Sequence, residues 1–337
     1  MARILVTGGA GYIGSHACKA LASAGHEPIA FDNLSSGWRE AVRFGPLVEG
    51  DLRTPGDIAA ALSDHRPDAV MHFAASIEVA ESAKVPGKYW ANNVLGTLNL
   101  LEAMVSANVK NIVFSSTCAI FGDQDGVTLQ EDTPQAPLNA YAASKRAIED
   151  MIANFSDAHG LAHVIFRYFN VAGADESAEI GEWHQPETHL LPLMLQAVAG
   201  ERPALTIHGS DYDTPDGTCI RDYVHVSDLV EAHVLGLDWL LAGKPNETFH
   251  LGTGTGFSVR EVVDASRAVT NRDVPVIEGA RRAGDAVKLV SGSRRAAELL
   301  GWEPRRSTLE RMIRDAWAWH QSGGFGPSDR NTTGSEG

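Results

Sequence analysis

The sequence predicts an α/β protein: a doubly wound parallel sheet followed by a smaller mixed α/β unit. Two observations carry that expectation. Over the first half of the chain, short apolar runs rich in β-branched residues alternate with helix-length amphipathic stretches. Such alternation builds a parallel sheet covered on both faces. Further on the alternation fades, a polar stretch over 173–188 has no period and reads as a long loop, and mixed helix and strand signals follow. The 337 residues leave room for two such units.

The first strand, 4–7, runs into Thr7-Gly8-Gly9-Ala10-Gly11-Tyr12-Ile13-Gly14 and then a helix over 14–24. Glycines three apart between strand and helix have separate tasks: making the turn, letting a pyrophosphate approach the backbone, and packing helix on strand. Free N–H groups at the helix start then receive the phosphates. Gly8, Gly11, Tyr12, Ile13 and Gly14 are candidate dinucleotide contacts, and residues 1–170 read as a Rossmann-type domain. The second strand, 28–32, ends on Asp32-Asn33. A carboxylate about 20 residues past the glycines accepts the adenosine ribose hydroxyls and repels a 2′-phosphate, so NAD is favoured over NADP. Asp51, in Gly50-Asp51-Leu52, reads either as an adenine neighbour or as a strand-end cap.

A helix over Pro55–His65, a strand over 69–73 and a helix over 92–107 follow. The strand Asn111–Ser115 then ends in Ser115-Ser116-Thr117. Ligands of doubly wound sheets bind at the carboxyl ends of strands. Thr117 can therefore bond a substrate hydroxyl or simply cap the strand. Tyr141-Ala142-Ala143-Ser144-Lys145 opens a helix that continues through Phe155, and a spacing of four puts phenol and ammonium on one face. A phenol titrating near ~10 is a poor base at neutral pH; a nearby lysine and a positive nicotinamide ring both favour phenolate. Taken alone, the pair also fits a half-buried tyrosine beside a solvated lysine.

Later signals are helices over Leu190–Ala199, 227–241, 258–269 and 308–320. The second unit spans mainly 171–320, with a return to the first sheet expected within 215–255, and the Gly/Ser/Asn-rich end, 321–337, is expected to be disordered. His184 and His189 flank Glu187 without a helical H-E-x-x-H pattern. They read as ordinary surface histidines, and no metal is expected. The net charge of −15 disfavours nucleic acid as a partner. No apolar run approaches the ~20 residues that cross a bilayer. Met1 leads straight into a strand rather than a signal peptide, and three scattered cysteines fit a reducing cytoplasm.

Together these residues resemble the extended short-chain dehydrogenase/reductase family. Within it, several runs resemble the UDP-glucose 4-epimerases: Gly11-Tyr12-Ile13-Gly14-Ser15-His16, Phe31-Asp32-Asn33-Leu34, Asn92-Asn93-Val94-Leu95-Gly96-Thr97, Arg167-Tyr168-Phe169-Asn170, and Asp216-Gly217-Thr218-Cys219-Ile220-Arg221-Asp222-Tyr223-Val224-His225-Val226. The likeness runs roughly from Arg3 to His320. It implies an isomerase that holds NAD tightly and epimerises C4 of a UDP-hexose through a 4-keto sugar. It assigns Tyr141 as the base, with Lys145 and Thr117 beside it. The NAD contacts it implies are the glycine loop, Asp32, Asn33, Asp51, Leu52, Phe73, Ala74, Asn92, Ser115, Tyr141, Lys145 and Tyr168. UDP-sugar contacts would come from Thr117, Tyr141, Phe169, Asn170, His189, Leu190, Thr206, His208, Arg221, Arg282, Asp285 and Leu289. Arginine forks suit a diphosphate.

This chain departs from the family pattern in places. Phe121 stands where tyrosine is usual, Ile77 where some members carry a lysine, and His189 and His208 replace a frequent asparagine and an aromatic. Leu289 occupies the position resembling a size gate: bulky tyrosine there restricts the pocket to plain hexoses, and small residues admit N-acetylhexosamines. UDP-pentoses and UDP-uronates are further substrate alternatives. A 4,6-dehydratase looks as though it needs an acidic pair after Thr117, where this chain has Cys118-Ala119; a non-catalytic NAD-binding scaffold would have little reason to keep the cluster. The resemblance also implies a homodimer through the 92–107 helix, apolar at Val94, Leu95, Leu98, Leu101 and Val105, and the helix after Tyr141.

Overall fold

Strand residues alternate between two cores. Ile4 and Val6 of the first strand face one apolar cluster, with Val224, Leu229 and Phe249, while Leu5 faces another, with Ile58, Leu101 and Ile152. A strand buried on both sides needs helices on both sides, and the chain supplies them. The computed structural model describes residues 1–124, 127–282 and 285–325.

Six strands precede residue 170: β1 (Arg3–Thr7), β2 (Glu27–Asp32), β3 (Leu47–Glu49), β4 (Ala69–His72), β5 (Asn111–Ser115) and β6 (Ala162–Tyr168). Next come β7 (Asn170–Ala172), β8 (Leu205–His208), β9 (Ile220–His225) and β10 (Glu247–Leu251). The last are β11 (Gly256–Ser258), β12 (Val276–Gly279) and β13 (Lys288–Leu289). The main sheet has seven strands in the order β10-β6-β5-β4-β1-β2-β3, and every pair in it is parallel. The order reverses at β1, the crevice where doubly wound sheets bind ligands. The Rossmann-type α/β expectation is met.

Pro55–His65, Gly96–Ser106 and Ala140–His159 cover one face, and Tyr12–Ser23 with Val226–Leu241 covers the other. A second sheet joins β11, β9 and β13, with β7 also on β9, and β8 pairs β12. Helices Leu190–Ala199, Val259–Thr270 and Leu309–Gln321 share a third core with Tyr223 and Ala172.

Two strands escape the sequence pattern. β3 is only three residues long and half exposed, and β6 carries Arg167 inside its apolar run. The predicted 92–107 helix is α-helical only over Gly96–Ser106; Trp90–Leu95 before it is a wider π turn. The last helix reaches Gln321, and Phe325 stacks on Trp38 and lies edge-on to Trp319, an apolar contact that a polar-tail reading overlooks. Residues 326–337 lie outside the described residues.

Candidate active site

The glycine loop is built by exclusion of side chains. Gly8 has φ of +75°, and a Cβ there would lie 2.7 Å from Ala74 N. A Cβ on Gly14 would lie 2.0 Å from Gly8 O, so only hydrogen lets the helix start this close to the loop. Gly11 is the N-cap residue of Tyr12–Ser23 and no side chain caps it, so that helix presents free N–H groups. The cradle therefore fits a dinucleotide pyrophosphate.

Asp32 stands at the end of the neighbouring strand. It is 8% exposed and accepts Ala10 N at 3.0 Å and Leu34 N at 2.8 Å. Burial raises its carboxyl above the usual range against those bonds. Asn33 donates to Asp51 at 3.0 Å. Arg53 forks onto the same carboxylate, chiefly responsible for holding it well below its usual range. Asp51 thus lies beside Asp32-Asn33 at the strand ends, and the Leu52 carbonyl accepts Asn99 Nδ2 at 2.8 Å. Phe73 and Ala74 follow β4, with the Phe73 ring 5.0 Å from that of His233.

At the carboxyl end of β5 three predicted residues converge. Asn139 caps the Ala140–His159 helix by accepting Ala142 N at 2.9 Å, which fixes its first turn. Lys145 donates to the Ser115 carbonyl at 2.8 Å, with its ammonium 4.9 Å above the Phe114 ring. The Ser115 hydroxyl pairs with Tyr168 Oη at 2.5 Å. Burial pushes the Tyr141 phenol up to about 12, opposed by a hydrogen bond to the Thr117 hydroxyl. Burial likewise brings Lys145 down to about 7, against the pull of Glu149. This differs from the expected lysine-assisted phenolate. Within the chain desolvation dominates, and the ammonium is engaged on a backbone carbonyl.

The opposite wall is assembled from distant segments. Leu289 and Phe169 pack with Cys118, Ile120 and Phe121, the turn directly after Thr117. Register pairs Leu289 with Arg221 and Asn170 with Tyr223. Arg221 is 9% exposed and lies 3.7 Å from Asp285. Arg282 is exposed; its carbonyl accepts Asp285 N at 3.3 Å. Thr206 and His208 lie on β8, whose partner β12 leads toward Arg282. His208 Nδ1 is 3.3 Å from the Ala280 carbonyl. Leu190 opens its helix on the third core, with His189 as the N-cap residue.

Among the described residues Asn92 donates to its neighbour, Asn93 Oδ1, at 3.2 Å. Asn93 itself, unassigned from sequence, bonds both backbone groups of Ser76 and the Ser144 hydroxyl, clamping the Ala140–His159 helix to the β4 loop. Glu149 was also missed. It accepts the Ser116 hydroxyl at 2.5 Å and pairs with buried Arg167 at 2.6 Å. Tyr141, Lys145 and Glu149 are each four apart, so extending the helical spacing by one turn finds it.

His184 and His189 sit against the buried carboxylates of Glu182 and Glu187. Glu182, His184, Glu187 and His189 bring one ligand atom each within 4.8 Å of one another. His184 is lowered by burial, yet the carboxylates of Glu182 and Glu187 outweigh this and take it up to about 10. His189 turns its Nδ1 to Glu182 at 2.5 Å.

Comparison with known proteins agrees with this geometry. The model of the NAD dependent epimerase/dehydratase family matches residues 4–252. The chain is 48% identical to the UDP-glucose 4-epimerase of Rhizobium leguminosarum bv. trifolii, covering 94% of this chain and 97% of that one. It is 48% identical to the UDP-glucose 4-epimerase of Azospirillum brasilense, over 95% of this chain and 92% of that one. The crystal structure of UDP-glucose 4-epimerase from Brucella ovis in complex with NAD superposes with a TM-score of 0.92 at 46% identity, covering 94% and 98% of the two chains. The chain belongs to the NAD dependent epimerase/dehydratase family.

Proposed function

We propose that this chain is an NAD-dependent UDP-glucose 4-epimerase, an isomerase interconverting UDP-galactose and UDP-glucose. The observation that carries the reading is the convergence of Tyr141, Thr117 and Lys145 at the end of β5, beside the Gly8–Gly14 cradle. The relatives' names support the same activity. The glycines, Asp32, Asn33 and Lys145 would hold NAD, which when bound supplies reversible oxidation at a sugar carbinol carbon. Tyr141 Oη takes the proton of the sugar 4-hydroxyl and returns it to that same oxygen once the 4-keto sugar has turned to present the opposite face of C4. Thr117 shares a hydrogen bond with that phenol and, by favouring phenolate, helps it act as a base. Arg221 and Arg282 would grip the diphosphate while the sugar turns between Phe169 and Leu289.

The test mixes purified protein, without added NAD, with UDP-galactose and separately with UDP-N-acetylgalactosamine, and separates the product sugars by chromatography. UDP-glucose formation supports the epimerase and a retained cofactor together. No conversion of either, even with NAD supplied, overturns the hexose reading. Leu289 favours a second reading in which the acetylated sugar is also converted, because leucine leaves more room than tyrosine at that wall.

We further propose a cytoplasmic homodimer. Its support is the free state of Cys18, Cys118 and Cys219 and the outward exposure of Trp90 (44%) and Leu95 (46%) beside the Gly96–Ser106 helix. Light scattering at micromolar concentration tests the dimer, and a monomer refutes it. Among the described residues no helix is long and apolar enough to cross a membrane.

A further inference from the structure

We propose that Glu182, His184, Glu187 and His189 form a binding site for one zinc-class divalent cation, distinct from the proposed catalytic groups. All four ligands come from an eight-residue segment, E-x-H-x-x-E-x-H. A local chelate of this kind needs little loop closure.

The donor spacing suits a metal better than a salt-bridge network. His184 Nδ1 lies 3.3 Å from Glu182 Oε1 and 3.7 Å from Glu187 Oε2, and His189 Nδ1 lies 3.8 Å from Glu187 Oε1. Tetrahedral zinc bound at about 2.0–2.1 Å sets its ligands about 3.3–3.4 Å apart. The His189–Glu182 pair, at 2.5 Å, would have to open. His184 Nδ1 is buried and makes no properly aligned hydrogen bond, although two carboxylates face it. An imidazole nitrogen without an aligned partner, facing a space shared by two carboxylates, is a ligand arrangement. Two imidazoles and two carboxylates select zinc or its neighbours over the hard, oxygen-seeking magnesium and calcium.

The surroundings are those of a built site. The side chains of Glu182 and Glu187 are each 6% exposed, that of His184 18% and that of His189 45%, so one ligand leaves an entry path. Glu187 Oε1 accepts the backbone N–H groups of Thr188 and His189, both at 2.8 Å, which turns its other oxygen toward His184. Thr188 donates to Glu78 at 2.7 Å, and the Glu182 carbonyl accepts Trp319 Nε1 at 2.9 Å. Such outer bonds orient metal ligands. Two buried carboxylates need two positive charges. One divalent ion would balance both carboxylates. The ion would pin the 173–188 loop against the glycine loop, where Glu182 and Glu187 already act on the Tyr12 hydroxyl.

The experiment takes untagged protein, removes metal with a chelator, and titrates it with zinc by calorimetry, with magnesium and calcium as comparisons. We expect one zinc per chain, no heat from magnesium or calcium at the same concentrations, and a higher melting temperature. His184→Ala should weaken binding at least tenfold, and His189→Ala, at the open side, tests the site should the first variant not fold. Because the three cysteines could take zinc, anomalous diffraction at the zinc edge locates the ion in the wild-type crystal. No saturable zinc binding at micromolar concentration, or an anomalous peak only at a cysteine, overturns the proposal and leaves a Glu–His hydrogen-bond network.

Discussion

The two walls of the cleft are made in different ways. The phosphate cradle comes from one continuous stretch, where Gly8 and Gly14 are dictated by backbone distances that no side chain could meet. The sugar side is gathered from four separate segments, the Cys118–Phe121 turn, Phe169, Arg221 and Leu289, brought together by strand pairing on β9 and a small apolar cluster. A wall written in one motif tolerates almost no change. A wall assembled from afar can vary residue by residue and so carries specificity.

Four substitutions sharpen or break that contrast, from the largest expected effect to the smallest. Tyr141→Phe removes the base and should cut turnover of UDP-galactose by about 10²–10⁴-fold with an unchanged circular dichroism spectrum; retained turnover would leave the scaffold reading standing. Glu149→Ala strands Arg167 in a buried site and should cost roughly 3–5 kcal/mol in denaturant unfolding. A loss below ~1 kcal/mol would mean the pair sits in water. Gly14→Ala should cost about 1–3 kcal/mol and abolish NAD retention, because overpacking against Gly8 O exceeds the ~1 kcal/mol that alanine gains over glycine in a helix. Leu289→Tyr should change the ratio of acetylated to plain sugar conversion by about 10–200-fold and leave stability nearly untouched.

A fifth test is a pH profile. Tyr141 must lose its proton to act as a base, and burial raises its pKa, so kcat/KM should climb as pH rises toward that value. The Thr117 hydrogen bond favours phenolate. Thr117→Val should therefore move the climbing limb to higher pH. A limb that stays in place would remove Thr117 from the proton-transfer group.

The same contrast explains what was legible in the sequence. The glycine loop, Asp32 and the Tyr141–Lys145 spacing could be read because each is local, with a period or a distance along the chain. Leu289 and Arg221 are neighbours only through the β13–β9 register, more than sixty residues apart, and the resemblance alone pointed to them. Asn93 and Glu149 went unassigned for another reason. Their partners, Ser76 and Arg167, come from other strands and loops, and a polar residue with a distant partner looks like any helix-surface residue. The Glu182–His189 cluster failed to stand out because its spacing follows a folded loop rather than a helix.

The position of β10 has a consequence for how the molecule comes into being. Six strands of the main sheet are complete by Tyr168, but the free edge of β6 is covered only when Glu247–Leu251 arrives, after β7, β8 and β9 have been made. During synthesis the first unit must wait through roughly eighty residues of the second with a parallel edge open, a state prone to wrong pairing. The two units are therefore not separable modules. A fragment ending near residue 170 would lack both that edge strand and the Val226–Leu241 helix that covers Phe166, and no piece ending before Leu251 holds the complete seven-stranded sheet.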